Sequence, residues 1–344
     1  MSTAAMAAQP ATNLQLLQMI TGKWLSAAIS AAADLGIADL LDPDPQSAAD
    51  LAARTGTHAP SLYRLLRALT VPGIFAELPG QRFELTPIGR HLRSNDPESL
   101  RNVARLHNSS WQSASWNELR HALVTGETGF KRAVGGQGFE YLAQRPDEAA
   151  VFDGAMTDYS RMLAPAIVAA YDFGRFRRIV DVAGGHGYLL AAILRAYPGP
   201  KGTVYDLPHV VEGTRQAFQH AGLNGRCDAV AGDFFQSVPD GADAYLMKSI
   251  IHDWDDERAA VILNNCRRAI SPRGRVLLCE CVVPPPGEPS FAKLLDLEMM
   301  MIPGGRERTA EEYRDLFAAT GFRLVGIHPT ASPMSIVEGA PVIS

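Results

Sequence analysis

The stretch that most constrains this chain is "IVDVAGGHGYLL", residues 179–190. A short apolar run leads to Asp181, glycines follow at positions 184, 185 and 187, and apolar residues then resume. A continuous apolar run is typical of a buried parallel strand, and glycine tolerates both a left-handed backbone and the close approach of a ligand. The pattern predicts a strand, a ligand-binding loop and a helix, the opening unit of a doubly wound α/β sheet.

From Phe173 onwards, apolar runs that predict strands alternate with amphipathic helices such as "ERAAVILNNCRRAI". This alternation is the signature of a sheet with helices on both faces. The last two apolar runs, "GFRLVGIHPT" and "MSIVEGAPVI", predict an antiparallel hairpin that closes the sheet. Five strands are predicted before it, in "RRIVDVAG", "GTVYDLP", "DAVAGDFF", "DAYLMKSIIHD" and "GRVLLCECVVP".

Each of these five predicted strands ends beside an ionisable side chain. Ligands of open α/β sheets bind at the carboxyl ends of the strands, so we expect these side chains to meet at one edge. A single aspartate in such a place is equally well explained as a turn residue or a helix cap, but five in succession indicate a functional site. They are Asp181, Asp206, Asp233, His252 and Glu280.

The glycine loop argues against two common ligands. A dinucleotide-binding loop requires G-x-G-x-x-G, but counting from Gly185 and Gly187 the third position is Leu190. A triphosphate-binding loop requires Lys followed by Ser or Thr, and this loop has neither. What remains is a ligand with a nucleoside but no phosphate, whose ribose hydroxyls Asp206 could hold. S-adenosylmethionine (SAM) is such a ligand.

Residues 47–93 predict a helix, a turn, a second helix over residues 60–69 and a small hairpin. Ser47 is placed to cap the first helix, and Gly56 makes the turn. This is the winged-helix arrangement, and its six arginines against three acidic residues raise a DNA-binding hypothesis. The second helix, "SLYRLLRALT", has no Asn, Gln or Lys to read base edges. We therefore favour a dimerisation domain that binds no nucleic acid.

The segments on either side are also helical in pattern. Residues 14–41 are rich in alanine, and we expect one face to be buried against a second subunit. Residues 101–165 carry aromatic and methionine side chains, which are more often core but can wall a pocket for a flat substrate. We predict a helical winged-helix-like dimerisation domain (1–100), a helical linker and pocket region (101–165) and a Rossmann-like catalytic domain (166–344).

Six motifs, in this order and at these spacings, resemble those of the SAM-dependent O-methyltransferases that include plant caffeate and flavonoid enzymes and bacterial antibiotic-tailoring enzymes. They are "DVAGGHG", "YDLPHV", "GDFF", "MKSIIHDWDDE", "CECVVP" and "GGRERTAEEYRDLFAATGF". The resemblance covers nearly the whole chain. It implies a class I SAM-methyltransferase fold preceded by a winged-helix-like domain that forms a homodimer, with SAM as the cofactor and an aromatic small molecule as the acceptor.

The resemblance also assigns a role to each matching position. Ala183 stands where the family usually has glycine, and we expect this change to be tolerated if the residue has a negative φ. The implied catalytic residues are His252 as the base and Glu280 and Glu307 as the acids that orient it. The implied cofactor site consists of Gly184, Gly185 and Gly187 in the loop, Asp206 at the ribose, Asp233 and Phe234 at the adenine, and Lys248 as a further contact.

These residue types suit methyl transfer to a hydroxyl. The sulfonium methyl of SAM is already electrophilic, so the protein has to supply orientation and a base. A phenol has a pKa of about 10, whereas imidazole takes up protons near neutral pH, and a carboxylate behind it fixes its tautomer. We predict that no metal takes part, because the acids of "DWDDE", residues 253–257, would point in different directions from one helix start.

Two alternatives stay open at this point. The first is methylation of an aromatic nitrogen, which occurs among relatives of the family and does not conflict with a base at His252. The second is a SAM-sensing regulator that would use the winged helix of residues 47–93 and would need none of the three catalytic residues.

Composition sets the remaining expectations. A formal net charge of −5 argues against attraction of the whole chain to nucleic acid or an anionic membrane. The four cysteines form no CxxC pair, which indicates a reducing, cytoplasmic setting. The first dozen residues lack a basic segment and a long apolar run, so we expect a frayed tail. Abundant alanine and arginine, together with the resemblance, favour a bacterial source and antibiotic or other secondary-metabolite biosynthesis.

Overall fold

The computed structural model describes residues 12–136, 138–220, 222–223 and 225–343. The chain forms two compact units, one of residues up to Ser109 and one from Ser110 onwards. The tail expected over the first dozen residues lies almost entirely outside the described residues. The three-part division at residues 100 and 165 stays a prediction.

The first unit contains the predicted winged-helix arrangement. The helical pattern of residues 14–41 divides into three helices, with breaks at Thr21 and at residues 35–36. Its three short strands form one antiparallel sheet in the order β1-β3-β2. The elements are α1 (Thr12–Ile20), α2 (Gly22–Asp34), α3 (Ile37–Leu40), β1 (Gln46–Ser47), α4 (Ala48–Thr55), α5 (Ala59–Ala68), β2 (Phe75–Leu78), β3 (Arg82–Leu85) and α6 (Arg101–His107).

Local sequence explains how α4 and α5 begin and end. The Ser47 hydroxyl accepts a hydrogen bond from the Asp50 backbone N–H, which is the predicted helix cap. Gly56 ends α4 at φ 67°, a left-handed conformation that favours glycine. Leu51, Leu62 and Leu66 are buried in the core of this unit. By contrast, α1 has no buried residue.

The second unit combines a helical region with the α/β sheet. Its elements are α7 (Ser110–Asn117), α8 (Leu119–Thr125), α9 (Gly129–Ala133), α10 (Gly138–Ala143), α11 (Pro146–Ala170), β4 (Arg178–Val182), α12 (Tyr188–Ala196), β5 (Lys201–Asp206), α13 (Pro208–His220), β6 (Cys227–Ala231), β7 (Ala244–Lys248), α14 (Asp256–Ala269), β8 (Arg275–Glu280), β9 (Val282–Val283), α15 (Ala292–Met301), β10 (Arg308–Thr309), α16 (Ala310–Ala319), β11 (Phe322–Pro329) and β12 (Ser335–Pro341).

The seven-stranded sheet confirms the fold predicted from the sequence. Its order is β11-β12-β8-β7-β4-β5-β6, and the strands β4 to β8 run parallel. The short strands β9 and β10 lie outside this sheet and pair with each other. The closing hairpin is antiparallel and joins β8 through β12. The strand order reverses at β4, which pairs with β5 on one side and β7 on the other. A ligand is expected in the crevice at such a switch point.

Alternate residues of the parallel strands face two separate cores. Ile179 and Val204 lie in one core, and Val180 and Tyr205 in the other. Strands that are covered on both faces contain nearly continuous apolar residues, which explains the apolar runs of the sequence. The ionisable side chains are therefore confined to the strand ends. Among the described residues, no helix is long and apolar enough to cross a membrane.

Candidate active site

The three loop glycines are required for different structural reasons. A Cβ at Gly184 would lie 2.7 Å from the Asp181 carboxylate, and one at Gly187 would lie 2.5 Å from the Phe218 ring. Close packing inside the protein therefore excludes a side chain at these two positions. At Gly185 the backbone is left-handed (φ 57°), and a Cβ would meet no atom within 4 Å. Gly185 is thus the loop glycine with open space beside it, as a bound ligand needs.

Ala183 has a left-handed backbone conformation. The alanine was expected to be tolerated if its φ were negative, but its φ is +55°, so that condition is not met. Its backbone N–H donates to the Tyr205 carbonyl at 2.7 Å, which holds the residue in this conformation at the end of β4. An L-residue in the left-handed region costs roughly 1–2 kcal/mol. A glycine at this position would relieve that strain.

Asp206 closes the loop from the neighbouring strand. One carboxylate oxygen accepts from the Gly185 N–H at 2.8 Å, and the other accepts from the Leu207 N–H at 2.7 Å. Burial raises the pKa of Asp206, and these two hydrogen bonds oppose the increase. Thr214 donates to the Gly185 carbonyl at 2.8 Å and fixes the loop from α13. A carboxylate oxygen accepts more than one hydrogen bond, so Asp206 retains acceptor capacity for a ribose diol.

Asp181 and Lys248 lie at the edge of the sheet where the parallel strands β4 and β7 end. One Asp181 oxygen, Oδ2, is buried and has no hydrogen-bond partner among the described residues. Burial raises the pKa of Asp181 to about 7, against the opposing charge of Lys248. Burial also lowers the pKa of Lys248, and Asp181 counteracts this. An unpartnered buried oxygen next to the glycine loop fits a polar ligand group at this point.

Asp233 and Phe234 follow β6 at the same edge. Asp233 accepts from the Phe235 N–H at 2.8 Å and from the Gln236 side chain at 3.2 Å, so it also shapes its own turn. The Phe234 ring packs at right angles to Trp254, with centroids 6.2 Å apart. Phe234 and Trp254 therefore form an aromatic pair next to Asp233, and the assignment of Asp233 and Phe234 to the adenine stays a prediction.

His252 lies in a three-residue 3₁₀ turn, Ile251–Asp253, between β7 and α14. The side chain is buried, with 6% of its surface exposed. Its Nδ1 atom lies 2.7 Å from Glu307 Oε1 and 3.6 Å from Glu280 Oε2. Its Nε2 atom lies 3.6 Å from Asp253 Oδ1. Both carboxylates predicted to orient the histidine are thus on the Nδ1 side, which leaves Nε2 as the nitrogen for a substrate.

The two glutamates reach His252 from adjacent segments. Glu280 ends β8, and one of its oxygens accepts from the Ile250 and Ile251 N–H groups at 3.2 and 3.0 Å. Glu307 directly precedes β10, which pairs in parallel with β9, and its N–H donates to Asp296 at 2.8 Å. The predicted capping box of Thr309 and Glu312 is present and begins α16. The short β9–β10 pair therefore brings residues distant in sequence to one imidazole.

The electrostatics of the cluster favour a charged imidazole. Burial opposes protonation of His252, but the charge of Glu280 and the hydrogen bond to Glu307 outweigh it and raise the pKa of His252 to about 10. Burial raises the pKa of Glu280, which His252 and the two backbone N–H groups oppose. Burial likewise raises the pKa of Asp253 to about 6, with His252 opposing. In the charged form Nδ1 carries a proton and donates it to Glu307 at 2.7 Å.

Three buried oxygens in this cluster have no hydrogen-bond partner among the described residues, namely Glu280 Oε2, Glu307 Oε2 and the Tyr313 hydroxyl. The ligating atoms of His252, Glu280 and Glu307 all lie within 4.8 Å of one another, close enough to hold a metal ion. Of the "DWDDE" acids, Asp255 caps α14 and Asp256 pairs with Arg308, whereas Asp253 faces His252. Metal independence therefore stays a prediction.

Sequence reasoning missed the residues that support the catalytic turn. The fully buried Arg308 donates to the Ile251 and Trp254 carbonyls, and the Arg306 N–H donates to the His252 carbonyl at 2.8 Å. A Cβ at Gly305 would lie only 2.0 Å from the His252 carbonyl oxygen. The motif "GGRERT" contained all three residues, but an exposed arginine and a buried one look alike in a sequence.

Both parts of the chain match known protein families. Residues 116–323 match the model of the O-methyltransferase domain, and residues 17–95 match the O-methyltransferase dimerisation domain. The chain belongs to the O-methyltransferase family, and it is an enzyme with S-adenosylmethionine as its cofactor.

Individual relatives match over nearly their whole length. The chain is 44% identical over 327 residues to phenazine O-methyltransferase PhzM of Lysobacter antibioticus, covering 95% of this chain and 96% of the relative. The crystal structure of LaPhzM superposes with a TM-score of 0.94 at 43% identity, covering 97% and 100% of the two chains. N,N-8-amino-8-demethyl-D-riboflavin dimethyltransferase (RosA) of Streptomyces davawensis superposes with a TM-score of 0.84 at 32% identity, covering 97% and 100%.

The strain at Ala183 predicts a stabilising substitution. We expect Ala183→Gly to raise the free energy of unfolding by about 0.5–1 kcal/mol, since relief of the left-handed strain exceeds the added freedom of the unfolded chain. Ala192→Gly, within α12, is the matched control and should lower it by about 1 kcal/mol. Urea denaturation of the three proteins measures both changes. A loss of stability in Ala183→Gly would contradict the strain.

The charge of Glu280 predicts how His252 titrates. We expect His252 to stay protonated through neutral pH and to lose its proton near pH 10. In Glu280→Gln the amide oxygen can still accept from the backbone, but the negative charge is gone, so the pKa should fall by about 1–3 units. Nitrogen-15 NMR of the histidine rings, with His252 assigned by its absence in His252→Ala, measures this.

Glu338→Gln is the control for that titration, because Glu338 is also a buried glutamate bonded to a histidine, His328, at 2.9 Å. It should leave the His252 titration unchanged. An unshifted His252 in Glu280→Gln, or an ordinary titration near pH 6.5 in the unsubstituted protein, would contradict the electrostatic description.

Proposed function

We propose that this enzyme transfers the methyl group of SAM to a hydroxyl of an aromatic small molecule, with His252 as the general base. The observation that carries the proposal is the buried His252, whose Nδ1 is bonded to Glu307 at 2.7 Å and faces Glu280 at 3.6 Å. A histidine held by a carboxylate on one nitrogen presents the other nitrogen as a proton acceptor of fixed orientation.

The cofactor supplies an electrophilic methyl group, so the residues of this chain have to orient the acceptor and handle one proton. Gly184, Gly185 and Gly187 shape the loop that we assign to the cofactor, and Asp206 supplies acceptors for the ribose. We assign Asp233 and Phe234 to the adenine of the cofactor. We assign Lys248, at the end of β7, to a further cofactor contact. Orientation alone can contribute effective molarities of up to about 10⁵–10⁸ M.

The raised pKa of His252, about 10, bears directly on the proton transfer. A phenol also has a pKa of about 10, so a proton moves between the acceptor hydroxyl and Nε2 at little cost. At neutral pH, below both pKa values, each group carries a proton, so the hydroxyl proton is accepted by the minor form of His252 in which Nε2 has already released its own proton to solvent. The carboxylates stabilise the imidazolium that faces the acceptor oxygen as it becomes nucleophilic.

An aromatic acceptor fits the side chains around the turn. Phe139 stacks on Trp254 with centroids 6.1 Å apart and an interplanar angle of 28°, and Phe152 packs edge-on against Phe139. Phe139 remains 46% exposed, so this group presents a flat apolar surface near His252. Trp111 and Phe130, by contrast, are core residues. The phenazine substrate in the name of one relative agrees with a planar acceptor.

The decisive assay measures S-adenosylhomocysteine formation against phenols, hydroxyquinones, hydroxyphenazines and aromatic amines, with and without EDTA. We expect turnover on a hydroxyl substrate, no loss with EDTA, and a decrease of about 10²–10⁴-fold in His252→Ala. His328→Ala, which removes a histidine bonded to Glu338, is the matched control and should remain active. Equal turnover by His252→Ala would overturn the assignment of the base, and inhibition by EDTA would overturn metal independence.

Methylation of nitrogen is the second candidate function. The similarity to the riboflavin-amine dimethyltransferase RosA favours it, because that protein is named for transfer to an amine. The same assay separates the two candidates, since amines would then react and hydroxyl compounds would not.

For residues 17–95 we propose dimerisation rather than regulation through DNA, in agreement with the family of that domain.

We further propose that the enzyme is a homodimer joined through α1 and α2. These helices expose seven large apolar side chains in the single chain, and Trp24 is 74% exposed. So many exposed apolar side chains in two consecutive helices indicate an interaction site. The other six are Leu14, Leu16, Leu17, Met19, Ile20 and Leu25.

The proposed dimer predicts a difference between two exposed positions. Trp24→Asp should yield monomers, because it buries a charge in the proposed interface. Val71→Asp is the matched control, since Val71 is 88% exposed outside α1 and α2, and this variant should remain dimeric. Analytical ultracentrifugation measures both. Retention of the dimer in Trp24→Asp would place the interface elsewhere.

We also propose a cytoplasmic location and a step in bacterial secondary metabolism. The four cysteines are all free, which suits a reducing compartment. The phenazine methyltransferase of Lysobacter antibioticus supports the metabolic assignment.

A further inference from the structure

We propose that Arg308 is the positioning residue of the catalytic turn: its guanidinium holds the backbone on both sides of His252 and thereby sets the imidazole against Glu307. The inference rests on the proposed function of His252. It concerns a residue that would touch neither the cofactor nor the acceptor.

The turn that carries His252 has little structure of its own. It is one 3₁₀ turn of three residues, preceded by Ser249 in a left-handed conformation at φ 55°. Its internal hydrogen bonds are the Asp253 N–H to the Ile250 carbonyl at 3.2 Å and the Trp254 N–H to the Ile251 carbonyl at 3.3 Å. So short a segment has to be fixed by groups from outside it.

Arg308 supplies that fixation on the carbonyl side. One terminal nitrogen donates to the Ile251 carbonyl at 3.0 Å and to the Arg306 carbonyl at 3.4 Å. The other donates to the Trp254 carbonyl at 2.9 Å and to Asp256 at 2.8 Å, and Nε donates to Asp256 at 3.0 Å. These contacts use all five N–H donors of a guanidinium. Ile251 and Trp254 bracket His252, so both sides of the base are attached to one rigid group.

The opposite side of the turn is attached to the other catalytic acid. Glu280 accepts from the Ile250 and Ile251 N–H groups, so Ile251 is held through its N–H by Glu280 and through its carbonyl by Arg308. Arg308 directly follows Glu307 and begins β10. The residue that holds the turn and the acid that binds the imidazole are therefore neighbours in sequence, and their relative position is restricted.

A lysine cannot replace this arginine. Lysine has three donors on a compact ammonium, whereas the planar guanidinium reaches two carbonyls and a carboxylate at once. Arg308→Lys keeps the charge beside Asp256 but leaves at least one buried carbonyl without a donor. The turn should then become free to move by about an ångström, a displacement that can cost about 10²-fold in rate.

The test compares Arg308→Lys with Arg226→Lys. Arg226 also bridges backbone carbonyls, those of Leu194, Tyr197 and Pro200, but at the opposite edge of the sheet. We expect Arg308→Lys to lower kcat by about 10–100-fold with SAM affinity within twofold of the unsubstituted enzyme, and to lower the pKa of His252 in the NMR titration. Arg226→Lys should change neither kcat nor that pKa.

Four outcomes decide the matter. A folded Arg308→Lys with unchanged kcat overturns the inference, as does a loss of kcat matched by an equal loss of SAM affinity with His252 titrating normally. If Arg308→Lys does not fold, Asp256→Ala removes the partner of two of the five donors and should lower kcat by about 3–10-fold, and an unchanged kcat there overturns the inference. If His252→Ala keeps full activity, the proposed function fails first, independently of Arg308.

Discussion

The contact between His252 Nδ1 and Glu307 is the interaction on which the site depends. An imidazole and two carboxylates are buried together, and such burial is costly unless each charge is paired and hydrogen-bonded. The protein meets part of that requirement, since one oxygen of Glu280 accepts two backbone N–H groups of the turn and one oxygen of Glu307 is bonded to His252. The result is an imidazole that two carboxylates hold on its Nδ1 side.

The cofactor side of the site is built by packing as much as by ligand recognition. Gly184 and Gly187 are glycines because Asp181 and Phe218 occupy the space that a Cβ would need, whereas Gly185 borders open space next to Asp206. The left-handed Ala183 shows that the loop geometry is imposed by the strand end, since the tertiary contact to Tyr205 holds a residue that disfavours it. The loop thus combines three constraints, namely close packing at Gly184 and Gly187, open space beside Gly185, and a left-handed backbone at Ala183.

Much of the fold and most of the proposed site residues could be predicted from the sequence. The apolar runs fixed the five parallel strands, because strands buried on both faces exclude polar residues until their ends. Ser47, Gly56 and the Thr309–Glu312 box marked helix ends through local hydrogen bonds, which depend on residues close in sequence. The φ of Ala183 could not be predicted, because it is set by a partner on the next strand. Arg308 was missed, because burial of an arginine depends on segments that a local pattern does not contain.

The sequence by itself determined the order of strands and helices, the family and the residue types at the strand ends. The tertiary structure decided which of these residues meet. Glu307 lies 55 positions from His252 and joins it only through the pairing of β9 with β10, and Arg308 reaches the turn from that same strand. Local patterns encode which residues can bond to their neighbours along the chain, whereas the distance between remote residues is set by sheet register and core packing, which arise only when the whole chain folds.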